Sequence, residues 1–229
     1  MRYEDLFNTT QEEIEARRWN PYLGISVRNR YFTPEALTEY ARWGAVHAKD
    51  RFALLVVDII QRVNNEVLDR VPAAKAFERA LKQSDPIRER CALAVAALPP
   101  DLRAKVVVIE WADIIDETYT WNRELVFSHF EADPEFRDFI TSSVANSLGS
   151  IVGRLKGGDI ETLSQYLLFE IPELFCGFMH QGVHYNLCAY PGGLGFLMQE
   201  LAQRACFQPV LSKLRTLGPV AHAEMYVDA

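Results

Sequence analysis

This sequence predicts an α/β fold with a Rossmann-like, doubly wound and mostly parallel sheet, and three observations carry the prediction. Two short apolar runs rich in β-branched residues, 52–57 and 106–109, have the composition of strands buried on both faces. Stretches of helical periodicity separate these runs from each other and from further strand candidates. At 229 residues, 49% apolar and 24% charged, the chain has the size and composition of one soluble globular domain spanning 1–229.

The elements follow in order. Pro21-Tyr22-Leu23-Gly24-Ile25-Ser26 reads as a first strand. Residues 34–48 read as a helix, with Thr33 as N-cap and Pro34 at its first position. The strand at 52–57 ends at Asp58, and a helix runs from 60 towards 69. Another helix covers 72–81. Asp85-Pro86 is expected to break the pattern, with a second piece running on to 98 before Pro99-Pro100 ends it. Residues 105–111 form the next strand, and helices follow at about 117–131, 135–154 and 159–171, with Asp159 as a cap. A strand at 183–189, a helix at 194–205 and a short edge strand at 224–227 complete the reading.

Composition narrows the function. The opening Met1-Arg2-Tyr3-Glu4-Asp5 lacks a basic-then-apolar leader pattern, and no apolar run approaches the ~20 residues of a membrane span. A cytoplasmic protein is expected. Cys91, Cys176, Cys188 and Cys206 are scattered without a CxxC pair, so buried thiols are expected rather than a zinc site. His180 and His184 flank Gly182, which weakens any helical metal pair.

The net charge is −7, yet residues 70–105 carry about +4 and the remainder about −11. Lys75, Arg79 and Lys82 fall in one stripe of a helix, and Arg88 and Arg90 follow. On an ideal helix those two lie about 200° apart, so one of them at most extends the stripe. Such a stripe can hold a phosphate backbone, or can be a solvated face.

In an open α/β sheet, ligands bind beyond the carboxyl ends of the strands. Ser26, Asp58 and Tyr190 fall near such ends, and Tyr166 and Glu170 share one helix face. A serine hydroxyl, a carboxylate and two phenols suggest acyl transfer without a metal or redox cofactor. Gly24-Ile25-Ser26-Val27-Arg28 lacks the second glycine of a hydrolase elbow. No GxGxxG follows a strand and no P-loop is present.

Taken together, Gly24-Ile25-Ser26, Asn29, Tyr31-Phe32, then Tyr166-x-x-x-Glu170-x-Pro172, then Tyr190, resemble the cyclodipeptide synthases over essentially the whole chain. That family is similar to the catalytic domain of class I tyrosyl- and tryptophanyl-tRNA synthetases. Neither a HIGH-like nor a KMSKS-like motif appears here. The resemblance implies two aminoacyl-tRNAs as substrates, a cyclic dipeptide as product and no cofactor; a monomer is expected. It makes Ser26 the nucleophile, gives Tyr166 and Glu170 the α-ammonium, and gives Tyr190 a proton relay. The amine of the second substrate is expected to attack the seryl ester, giving a dipeptidyl-enzyme. The resemblance also places Tyr22, Gly24 and Glu173 around the substrate, and the basic helix on tRNA. Tyr190-Pro191 points to the branch with Tyr-Pro, although Asn29 belongs with the Tyr-His branch. Two other readings stay open: a serine-dependent aminoacyl-tRNA deacylase, and a noncatalytic tRNA-binding relative of a synthetase.

Overall fold

The computed structural model describes residues 1–228. A six-stranded sheet forms its centre. In chain order its strands are β1 (Arg2–Phe7), β2 (Pro21–Ser26), β3 (Phe52–Val57), β4 (Val106–Glu110), β7 (Leu187–Tyr190) and β8 (Ala221–Tyr226). The spatial order is β1-β8-β7-β2-β3-β4. All pairs are parallel except β1 on β8. β5 (Phe178–His180) and β6 (Val183–Tyr185) make a separate antiparallel hairpin. The mostly parallel α/β sheet expected from the apolar runs is therefore present.

Helices cover both faces. These are α1 (Gln11–Glu15), α2 (Pro34–His47), α3 (Arg62–Val67), α4 (Ala73–Ala96), α5 (Pro100–Arg103), α6 (Glu117–Ala132), α7 (Pro134–Leu148), α8 (Asp159–Cys176), α9 (Leu194–Gln203) and α10 (Gln208–Leu211). Strand alternation sorts the core into two clusters. Tyr22, Ala53, Leu55 and Val57 pack towards α6, α7 and α8. Leu23, Ile25, Leu54 and Val56 pack towards α2 and α4.

Several expectations need correction. Asp85-Pro86 does not break the helix, because α4 runs through Pro86. Its buried stripe of Ala76, Ala80, Ser84, Ile87, Cys91 and Ala94 keeps helical spacing across the proline, and packing outweighs one missing backbone bond. Ser84 Oγ also donates to Leu81 O at 2.6 Å, inside the turn where the ladder is interrupted. The helix expected at 135–154 tightens to a 3₁₀ segment, Gly149–Arg154, at Gly149, whose φ is +54°. α8 continues through Pro172 to Cys176. Asp159 is its first residue and not its cap; the cap is Gly158. Residues 183–189 are two strands in different sheets, split at Asn186. The last strand is not an edge: β8 lies between β7 and an unforeseen β1, which takes the edge.

The strand order places a crevice. From β2 the chain moves to β3 and β4 on one side, and later to β7 and β8 on the other, so the topological switch lies between β2 and β7. These two strands pair only at Pro21–Leu187 and Tyr22–Cys188. Beyond that register they part, and Ser26 and Tyr190 end the two lips.

Candidate active site

A cavity of about 310 Å³ opens in this crevice. β2 supplies Gly24 and Ser26, β7 supplies Cys188 and Tyr190, and α8 supplies Tyr166, Glu170, Glu173 and Leu174. On α8 those positions are i, i+4, i+7 and i+8, one face of a helix. Period-two alternation puts Gly24 on the same strand face as Ser26. Gly24 keeps the cavity open: a Cβ there meets only Val57 Cγ2, at 3.9 Å. A second cavity of about 690 Å³ adjoins the first and shares Ser147, Tyr166 and Glu170 with it. Arg28, Asn64 and Leu68 line its other side.

Ser26 sits between two phenols. Its hydroxyl neighbours both Tyr166 and Tyr190 and eases the ionisation of each, although no side-chain hydrogen bond of Ser26 reaches normal geometry. Burial, followed by the Glu170 carboxyl, pushes the Tyr166 phenol well above its usual range. Burial also raises Tyr190, against the opposing pull of Ser26 and Asn29. Both phenols are therefore neutral donors at physiological pH. Glu170 is partly buried where the cavities meet. Burial, then the nearby Glu173, holds its carboxyl well above the carboxylate range. It forms no ion pair and no hydrogen bond among the described residues, so without a cation beside it the carboxyl keeps its proton, and an ammonium placed there would favour the carboxylate.

Asn29 is a positioning residue. Its Nδ2 donates to Tyr190 Oη at 3.4 Å, and its Oδ1 accepts from Tyr31 N at 2.9 Å. Its backbone N–H donates to Ser26 O at 3.0 Å and is thus committed to the turn, not free for an oxyanion.

Two expectations shift. Tyr22 shares the strand face of Gly24 and Ser26 but does not line the cavity: it is fully buried with its ring edge-on to Phe178. It supports the site from behind. Asp58 lies outside the cavity as well. Its Oδ1 accepts from Ile59 N at 2.7 Å and Trp111 N at 3.3 Å, bracing the ends of β3 and β4.

The basic helix is heterogeneous. Lys75, Arg79 and Lys82 are exposed on α4. Arg88 turns the other way, pairing with Glu110 at 3.0 Å, with Asp85, and with buried Asp58 at 3.8 Å. Arg90 reaches Phe32 O at 3.4 Å. Asp69 links the stripe to the second cavity, since it pairs with Arg79 at 3.1 Å and with Arg28 at 3.3 Å. Among the described residues no cluster of three or more metal-ligating side chains occurs. His184 Nε2 is 3.0 Å from Cys176 O, while all four cysteines are free and buried. Among the described residues no helix is long and apolar enough to cross a membrane.

The cyclodipeptide synthase family model matches residues 6–211. The chain belongs to that family. Known structures agree in fold. A Mycobacterium tuberculosis cyclodipeptide synthetase, described as related to type I tRNA synthetases, matches at TM-score 0.73 and 20% identity, over 97% of this chain and 94% of that one. A cyclodipeptide synthase from Bacillus thermoamylovorans matches at 0.71 and 18%, over 93% and 90%. One from Candidatus Glomeribacter gigasporarum, bound to Phe-tRNAPhe, matches at 0.58 and 14%, over 91% and 89%. No curated protein matches the chain.

Proposed function

We propose that this cyclodipeptide synthase works as a monomeric, single-domain aminoacyltransferase without ATP, joining two aminoacyl groups from aminoacyl-tRNAs through an ester on Ser26. The observation that carries the reading is the convergence of Ser26, Tyr166, Glu170 and Tyr190 on one cavity at the β2/β7 crevice. A relative of the same fold bound to Phe-tRNAPhe supports the choice of donor.

Ser26 Oγ attacks the aminoacyl carbonyl. The new C–Oγ bond forms as the bond to the tRNA ribose breaks, and the proton passes to the leaving ribose hydroxyl. Glu170 and Tyr166 hold the α-ammonium through charge-assisted bonds, which are roughly twice as strong as neutral ones. Atom balance corrects one expectation. If the second substrate's amine attacked the seryl ester, the dipeptide would end on tRNA and Ser26 would be released. A dipeptidyl-enzyme needs the seryl-bound amine to attack the second aminoacyl-tRNA ester. Glu170, made basic by burial, takes the proton that frees this amine. The new terminal amine then attacks the seryl ester, closes the six-membered ring and releases Ser26, whose oxygen regains a proton through Tyr190.

The larger cavity suits the second aminoacyl group, because Tyr166 and Glu170 face both spaces. Lys75, Arg79 and Lys82 offer exposed cations for the phosphate backbone, joined to the cavity mouth through Asp69 and Arg28. Asn29, in holding Tyr190, has a role beside Pro191 that fits a Tyr-Pro branch member.

The test is incubation of purified protein with separately charged tRNAs, followed by mass spectrometry. A cyclic dipeptide is expected. Free amino acid alone would identify a deacylase, and intact aminoacyl-tRNA would identify a binding protein.

A further inference from the structure

One titratable group in the reaction cavity has no part in the chemistry above. Glu173 lies on α8 one turn beyond Glu170 and is 4% exposed. Its neighbours set its depth. Its carboxyl perturbs the Tyr22 phenol and the Cys188 thiol, both of which burial already pushes well above their usual ranges. Cys188 pairs in register with Tyr22, four residues before Ser26, so Glu173 sits at the deep end of the cavity, below the level of Gly24.

Among the described residues no hydrogen bond of normal geometry reaches Glu173; the Tyr22 hydroxyl, itself without such a bond, is its near neighbour and pulls the carboxyl down against burial. No Lys, Arg or His lines the cavity, so two carboxyl groups face it without a countercharge. Burial drives the Glu173 carboxyl up to about 8. The remaining walls include Val57, Trp111 and Leu174, which are apolar. A leucine in place of Glu173 would pack there without this desolvation cost. An unmatched carboxyl at the end of an apolar passage is complementary to a side chain with a body of methylenes or a ring and a cationic tip.

We propose that Glu173 selects the side chain of the first aminoacyl group, and that this side chain is basic: an imidazole, amine or guanidinium. The proposal rests on the reading of Ser26 as the acyl acceptor. A basic aminoacyl group brings two positive centres to two carboxyls. Its α-ammonium meets Glu170 near the ester, and its side-chain N–H donors meet Glu173 below. The separation fits, because one helical turn spans about 5.4 Å, comparable to the reach from an α-nitrogen to a basic side-chain tip. Gly24 leaves the passage between them clear.

The experiment loads the enzyme with tRNA charged separately with histidine, lysine, arginine, leucine, phenylalanine or tyrosine, and reads the Ser26 adduct by intact-protein mass. Wild type is expected to load one of the three basic groups at least about tenfold faster than the other three residues, as breaking a desolvated charge pair implies. Glu173→Gln keeps the shape and is expected to lose most of that preference. Glu173→Leu is expected to favour leucyl or phenylalanyl groups, with a melting temperature no lower than wild type. Preferential loading of leucyl, phenylalanyl or tyrosyl groups by wild type would overturn the proposal. So would a basic preference that survives in Glu173→Leu. Absence of any adduct on any protein would instead remove the acyl-enzyme reading, and this proposal with it.

Discussion

α8 and α4 are the two long helices that carry a proline within them, and both present charged groups at helical spacing. They use those charges in opposite ways. α8 turns Tyr166, Glu170 and Glu173 inward, where the carboxyls lack an ion-pair partner and burial raises them. α4 turns Lys75, Arg79 and Lys82 outward, and Arg79 is already paired with Asp69. A buried unpaired carboxyl costs stability, so its presence points to a ligand that offsets the cost. An exposed cation costs almost nothing to keep, and says little until a partner is measured. The contrast assigns the chemistry to α8 and leaves α4 a screened, additive part in binding.

The largest effect expected from this contrast is at Glu170. Glu170→Gln removes the acceptor for the α-ammonium, and product formation is expected to fall about a hundredfold or more. Stability is expected to move the other way with pH. The folded carboxyl has a raised pKa, so the folded state keeps a proton that the unfolded chain loses near pH ~4.3. Wild-type stability therefore declines as pH rises from that value through the raised folded value, and the amide variant escapes this loss. Melting curves at pH 6 and pH 9 are expected to show the variant gaining on wild type at the higher pH. Activity within a few-fold of wild type, with parallel melting curves, would make Glu170 an ordinary rim group and erase the contrast.

The smaller effect is on α4. Arg79→Ala with Lys82→Ala is expected to weaken aminoacyl-tRNA binding and flatten its log–log salt slope by roughly 0.7–0.9 for each phosphate left without its cation. Arg88→Ala is the control within the same helix. It breaks the links to Glu110, Asp85 and Asp58, so it is expected to lower the melting temperature and leave the salt slope alone. An unchanged slope in the double variant would move the tRNA surface elsewhere.

Legibility in the sequence varies with the kind of signal. The strand ends at Ser26 and Tyr190, and the face shared by Tyr166 and Glu170, follow from periods of 2 and 3.6 that survive in the structure. The resemblance puts Tyr22 around the substrate, and period 2 gives its side of the sheet but not its depth; it lies behind the lining. Glu173 is visible as an acid in an apolar helix, but only packing shows that its carboxyl faces the cavity unpaired. The break expected at Pro86 fails because a local rule meets a long buried stripe. β1 is invisible because Arg2, Glu4 and Asp5 make a charged, mostly exposed strand whose ladder comes from β8, more than 200 residues away. Helix geometry separates Arg88 from Arg90 but does not say which faces solvent, and the carboxylates around Arg88 show where it turns.

The central claim is that the polar face of α8 and the end of β2 form one acyl-transfer site. It is tested most directly by adding a single charged tRNA, with no second substrate, and measuring the intact mass of the protein. Wild type is expected to gain the mass of one aminoacyl group, located on the peptide containing Ser26, and Ser26→Ala is expected to gain none while melting as wild type does. Equal label on Ser26→Ala, or label on another residue, would contradict the account.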